Sequence, residues 1–276
     1  MLVASVLSLK GGVGKTTVAL GLASAAVHRG IKTVLIDMDP QANATSTLEP
    51  APDAAVPPRT DSVTVANVLS DPRRKVVRAA LRDTAWGGQL RLLAGSEDAA
   101  ALDRPDPGGK RLARLATAVR TLPDGPRGPD LVLIDCPPSL GQLTRSALVA
   151  SHRAILVAEP SLYAVTGVQR ALAAVQVERT RHPGLQPLGL VINRVRPRSP
   201  EHQFRLAELR DLFGPLILQP QFPERSAVQQ AQGAGVAIHS WPTAAAMEMA
   251  GMFDALLDRL LRAGRPRPGS GSRGPS

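Results

Sequence analysis

Lys10-Gly11-Gly12-Val13-Gly14-Lys15-Thr16-Thr17 is the stretch on which the reading of this 276-residue chain turns. It follows an apolar run, Leu2 to Leu9, and precedes Val18 to His28, where apolar and small residues recur at helical spacing. Strand, glycine-rich loop and helix in that order are the setting of a phosphate-binding loop. Glycines at 11, 12 and 14 free the backbone to turn successive amide hydrogens, with those of Val13 to Thr17, around an anion. The same amides stand at a helix N-terminus, where unpaired N–H groups and the helix dipole favour negative charge. Lys15 is expected to reach the β- and γ-phosphates of a nucleotide, and the Thr16 hydroxyl to ligate Mg²⁺. Counting back from Gly14-Lys15-Thr16, the first glycine of the eight-residue pattern falls on Leu9, with Lys10 beside it. An apolar residue there, next to a lysine, marks a deviant form of the loop.

Three later blocks extend the pattern. Val34-Leu35-Ile36-Asp37-Met38-Asp39-Pro40-Gln41-Ala42-Asn43-Ala44-Thr45 ends an apolar strand in two carboxylates and runs on four residues past Gln41. Asp130 to Gly141 contains the apolar strand Leu131 to Ile134, then Asp135-Cys136-Pro137-Pro138. Glu224-Arg225-Ser226-Ala227 through Gly235-Val236 forms a fourth block. In register, the four resemble the deviant Walker A, switch I, Walker B with switch II, and C-terminal blocks of the ParA/MinD family of dimeric ATPases. The resemblance spans residues 2 to about 238 and is nearest the ParA/Soj type.

It implies an α/β three-layer sandwich, a mostly parallel central sheet flanked by helices. Residues 1–262 would form a single P-loop ATPase domain and 263–276 a disordered Pro/Gly/Ser/Arg tail. The implied cofactors are ATP and Mg²⁺, with Asp37 and Asp135 joining Thr16 at the metal and Asp39 orienting the attacking water. Asn193, after the strand Leu188 to Ile192, would meet the adenine edge in the register of the resemblance; a bare asparagine after a strand is usually a turn residue. Lys10 would cross to the nucleotide of a second subunit, so that pairing depends on ATP. The resemblance further implies an ATP-dependent homodimer that binds double-stranded DNA without sequence preference. A ParB-like or cargo-adaptor protein with a basic segment would stimulate a slow hydrolysis that positions a plasmid, a chromosome origin or a protein body. Two other outcomes stay open: a MinD-like membrane-cycling ATPase, and a static nucleotide-dependent interaction switch.

Composition narrows these choices. The formal charge of +10 suits a polyanionic partner, or else reflects an arginine-preferring genome; only its distribution in space separates the two. Arg194, Arg196 and Arg225 are candidate DNA contacts, each equally able to sit in a solvated loop or an intramolecular ion pair. Cys136 is the sole cysteine, so no intrachain disulfide forms and the paired cysteines of iron–sulfur relatives are lacking. It reads as a packing residue. With the first strand opening at the N-terminus, neither a basic leader nor a preceding DNA-reading domain is expected, and no apolar run approaches transmembrane length. A cytoplasmic, nucleoid-associated location is the expectation.

Between the blocks, Glu49 to Ser62 reads as a proline-rich surface loop, Val63 to Leu69 as a helix, and Asp71 to Arg82 as a second helix with arginine on one face. That face is a candidate DNA or partner patch, or a solvated one. Leu90 to Leu93 and Ala154 to Ala158 read as strands, and Lys110 to Leu122, Tyr163 to Arg179 and Glu201 to Phe213 as helices. Leu216 to Leu218 reads as a short strand. Thr243 to Leu261 is amphipathic, and its acids at 248, 254 and 258 favour packing on the sheet over membrane insertion.

Overall fold

A computed structural model describes residues 1–49, 62–105 and 108–264. The chain alternates β1 (Leu2–Leu7), α1 (Lys15–His28), β2 (Thr33–Asp37), α2 (Asn43–Leu48), α3 (Val65–Ser70), α4 (Arg74–Ala80), β3 (Leu81–Asp83) and β4 (Leu90–Leu93). It continues with α5 (Gly109–Arg120), β5 (Leu131–Asp135), α6 (Gln142–Ala150), β6 (Arg153–Ala158), α7 (Ala164–Arg181) and β7 (Gln186–Ile192). The last helices are α8 (Pro200–Phe213), α9 (Ser226–Gly233) and α10 (Ala244–Gly264). The strands form one sheet in the order β3-β4-β2-β5-β1-β6-β7, parallel except for β3, which runs antiparallel to β4.

The central strands are apolar throughout because helices cover both their faces. Alternate residues enter opposite cores. Val3, Leu7, Val34, Ile36, Val132 and Ile134 meet α3 to α8 on one side. Ala4, Val6, Leu35, Leu131, Leu133 and Ile155 meet α1, α2, α9 and α10 on the other. Helix α1 is buried along almost its whole length, which its run of small and aliphatic residues permits. A Cβ on Gly21 would lie 2.2 Å from the Phe253 ring, so this glycine sets the close approach of α10 to α1. Arg29 then ties the two helices at the surface, to Asp254 at 3.0 Å and Asp258 at 2.5 Å.

Two elements differ from the sequence reading. The helix expected over Asp71 to Arg82 stops at Ala80, and Leu81–Asp83 forms the edge strand β3. Three residues are too short to show a period of two, and the strand exists through its ladder with β4, where Arg91 also reaches the carbonyls of Leu81 and Arg82. The expected strand Leu216 to Leu218 is a single 3₁₀ turn, Gly214–Leu216, followed by one bridge from Ile217 to Leu190. The glycine–proline pair at its start favours the turn. Helix α10 continues to Gly264; residues 265–276 of the expected tail and residues 50–61 of the expected loop lie outside the described residues.

Candidate functional site

The loop between β1 and α1 lies at the C-terminal edge of the sheet, the edge at which parallel α/β sheets bind ligands. Gly12 and Gly14 adopt left-handed backbone, with φ of 79° and 91°, and Gly14 caps α1. At Gly14 a Cβ would stand 2.2 Å from the Asn193 amide nitrogen, so only glycine fits. At Gly11 and Gly12 a Cβ would meet nothing within 4 Å, so both positions face open space. Lys15 opens α1 and is buried, 6% exposed. Lys10 stands at the mouth, where its ammonium donates to the Ser161 hydroxyl at 3.1 Å.

Parallel pairing of β2 with β5 sets Asp37 beside Asp135. Both are wholly buried. Neither carboxylate oxygen of Asp135 has a hydrogen-bond partner. Burial first, then the negative charge of Asp37, pushes Asp135 up to about 8; the nearby Thr16 hydroxyl and Lys15 ammonium pull the other way. A buried carboxylate with two unused oxygens next to a threonine hydroxyl and an open glycine loop is a donor set that fits Mg²⁺ arriving with a phosphate.

Asp37, expected at the metal, is held by hydrogen bonds to switch I. Its Oδ2 accepts from the Thr45 amide at 2.9 Å and the Thr45 hydroxyl at 2.8 Å, and its Oδ1 from the Asp39 amide at 3.1 Å. Thr45 in turn accepts from the Gly95 amide at 2.8 Å. The carboxylate thus braces the switch I turn. Burial raises its pKa, against those hydrogen bonds. Asp39, 7% exposed, accepts from the Gln41 amide at 3.0 Å.

The remaining expected residues split into two groups. Asn193 and Arg194 lie against the loop: the Asn193 amide donates to the Val13 carbonyl at 2.8 Å and the Arg194 guanidinium to the Gly12 carbonyl at 2.5 Å. Arg196 and Arg225 are in intramolecular ion pairs, with Glu224 at 2.5 Å and Glu248 at 2.9 Å. Cys136 is fully buried, and burial raises its thiol well above the usual range, as befits a packing residue. Among the described residues, the two non-glycine residues with left-handed backbone are Ala42 (φ 53°) in switch I and Arg194 (φ 55°). Such conformations cost about 1 kcal/mol each and gather at working sites.

Sequence reasoning missed Ser161, Thr45, Gln232 and Asp103. Gln232 of α9 accepts from the Thr17 hydroxyl at 3.4 Å. Asp103 accepts from the Ser139 hydroxyl at 2.7 Å and the Leu143 amide at 3.0 Å, so it holds the switch II loop and caps α6. Thr45 and Gln232 fall inside the switch I and C-terminal blocks without a role assigned to either, while Ser161 and Asp103 lie in no glycine- or carboxylate-rich pattern that would have marked them.

A family model described as an AAA domain (AAA_31) matches residues 1–186. The chromosome-partitioning ATPase Soj of Thermus thermophilus is 31% identical over 231 residues, 83% of this chain and 84% of that protein. A ParA family protein of Chlamydia muridarum is 35% identical over 194 residues, 67% of this chain and 69% of that protein. Among solved structures, cobyrinic acid a,c-diamide synthase from Mycobacterium smegmatis with bound ATP analog and magnesium is similar, with a TM-score of 0.74 and 29% identity. That likeness covers 96% of this chain and 97% of the other. On these matches and on the loop geometry, the chain belongs to the ParA/Soj family of deviant Walker A, P-loop ATPases.

Proposed function

We propose that this protein binds ATP with Mg²⁺, pairs with a second copy across the bound nucleotides, and hydrolyses ATP slowly until a partner with a basic segment stimulates it. The paired form binds double-stranded DNA without sequence preference, and the cycle moves or spaces a cargo such as a plasmid, a chromosome origin or a protein body. The observation that carries this reading is the unpartnered, fully buried carboxylate of Asp135 beside Lys15 and Thr16 at an open glycine loop.

Roles follow from position. The amides of Gly11 to Thr17 cradle the phosphates, Lys15 offsets their charge, and Thr16 with Asp135 holds the metal ion, which supplies charge neutralisation for phosphoryl transfer. Asp39 orients the attacking water. Asn193 keeps its carbonyl oxygen for the adenine edge while its amide holds Val13. Lys10, now on Ser161, is the cation exposed enough to swing toward a partner's phosphates. A cation supplied in trans makes the pair and the triphosphate mutually dependent.

The membrane-cycling alternative would use α10 as an amphipathic anchor. Met249, Phe253, Leu256, Leu257 and Leu260 of that helix are instead buried in the core shared with α1. Among the described residues no helix is long and apolar enough to cross a membrane. Phosphate release with and without duplex DNA, together with the ATP-dependent mass in solution, tests the proposal on the wild type, Asp39→Ala and Lys10→Ala. Turnover is expected to vanish in Asp39→Ala and pairing in Lys10→Ala. A Lys10→Ala protein that still pairs in ATP and hydrolyses at the wild-type rate overturns it.

A further inference from the structure

The positive charge of this chain is concentrated. Helix α4 (RKVVRAA) and helix α5 (GKRLARLATAVR) together carry seven Lys and Arg and no acid. The whole chain has 33 Lys and Arg against 23 Asp and Glu, so outside these two helices 26 cations nearly balance the 23 acids. Arginine-preferring composition would spread the excess; here most of it sits on two neighbouring helices. Val77 of α4 lines the same apolar cleft as Leu115, Ala118 and Val119 of α5, over Val34, Ile36 and Leu93 of the sheet. The two helices therefore flank one cleft on the same side of the sheet.

Arg74, Lys75 and Arg78 of α4 and Lys110 and Arg111 of α5 are exposed. None of their side chains has a hydrogen bond or ion pair among the described residues. By contrast Arg196 and Arg225 already carry their countercharges, Glu224 and Glu248. We infer that the exposed face of α4 and α5 is the surface that takes the phosphate backbone of double-stranded DNA, an assignment that rests on the DNA-binding reading above and places its main contact.

The chemistry of the face selects this partner. No large exposed apolar residue of the described chain lies on α4 or α5, so the face lacks the apolar side that a helix lying in a lipid surface buries. It also lacks any aromatic residue, which single-stranded nucleic acid uses for stacking and protein partners use as anchors. What it offers is a set of long, unpaired cations. Such a set makes sequence-independent, salt-sensitive contacts to phosphates and positions a duplex without reading it.

The test measures binding of fluorescein-labelled duplexes, AT-rich and GC-rich, by anisotropy in ATP over a range of KCl. It compares the wild type with Arg74→Gln/Lys75→Gln/Arg78→Gln, with Lys110→Gln/Arg111→Gln, and with Arg196→Gln/Arg225→Gln. Binding of a fluorescent ATP analogue reports that each variant is folded, and making the two helix variants separately leaves at least one to read. Both helix variants are expected to weaken binding to the two duplexes alike. The slope of log affinity on log salt should flatten by about 0.9 for each phosphate contact removed. Wild-type slopes in both helix variants, with loss only in the Arg196 and Arg225 variant, overturn the surface and leave DNA binding standing. A wild type that binds no duplex in ATP, or pellets only with anionic vesicles, overturns both.

Discussion

The Asp103 carboxylate receives the Ser139 hydroxyl at 2.7 Å with one oxygen and the Leu143 amide at 3.0 Å with the other, so a residue ahead of α5 holds the loop that leaves β5. The fit is close: a Cβ on Gly141 would stand 2.1 Å from the same carboxylate. Asp103→Ala removes the acceptor at the start of α6 and should cost about 1 kcal/mol of stability. It should also lower ATP turnover more than ATP affinity, because the phosphate-sensing loop loses its anchor while the glycine loop does not. Asp103→Asn keeps one acceptor oxygen and should recover most of the stability. Steady-state kcat and KM with thermal unfolding check both; an Ala variant whose kcat equals wild type would show that the anchor is not used.

Asp135 predicts a pH dependence. Its folded-state pKa, near 8, lies far above the ordinary carboxylate value of about 4. In that window the folded protein holds a proton that the unfolded chain has released, so this group lowers stability as pH rises, by up to about 1.4 kcal/mol per unit. Nucleotide-free protein should therefore melt lower at the alkaline end of the window, and Asp135→Asn should flatten the trend. The difference between the two melting curves isolates this carboxylate from the others. A parallel pair of curves would contradict the burial assigned to it.

Glycines 11 and 14 should respond differently to the same added methyl group. Gly14→Ala is doubly obstructed, by its φ of 91° and by the Asn193 amide at 2.2 Å. It should destabilise the protein by about 2 kcal/mol or more and abolish nucleotide binding. Gly11→Ala meets no protein atom within 4 Å. Its melting temperature should stay near wild type while ATP affinity falls, because the methyl group fills space meant for phosphate. Calorimetric titration and thermal scans on the pair separate the two effects.

Glu178 of α7 is 1% exposed and pairs with Arg145 of α6 at 2.7 Å and with Arg181 at 3.3 Å. Glu178→Ala leaves the shielded Arg145 uncompensated and should cost about 3 kcal/mol in denaturant unfolding. Arg145→Met with Glu178→Leu should recover much of that loss. If the single variant is no less stable than the double, the pair does not hold α6 to α7.

What could be read from the sequence was what repeats or what chemistry demands. The glycine loop, the apolar strands ending in Asp37 and Asp135, and the amphipathic α10 carry local signals, and the structure places all of them as elements at or behind one sheet edge. Edge strand β3 carried none, because its three residues become a strand only by lying beside β4. Asp103 and Ser161 were silent for a related reason. Each acts through a partner brought near by the fold, 36 residues away for Ser139 and 151 for Lys10, and a lone polar residue in a loop has no period to betray it. The charge on α4 and α5 was visible as arginines, but the lack of ion pairs to the exposed cations, among the described residues, was not.

The strand order has a consequence for how such a site can vary. Five neighbouring parallel strands each deliver one part: β2 gives Asp37, β5 Asp135, β1 the glycine loop, β6 the serine that receives Lys10, and β7 Asn193. The sideways pitch between these parts is fixed by the backbone ladder, about 4.8 Å per strand, and by no loop. The sheet works as a comb whose teeth keep their spacing while the tips are recut. Loops after β2 or β6 can therefore lengthen or change sequence without re-aligning the residues that the strand ends present.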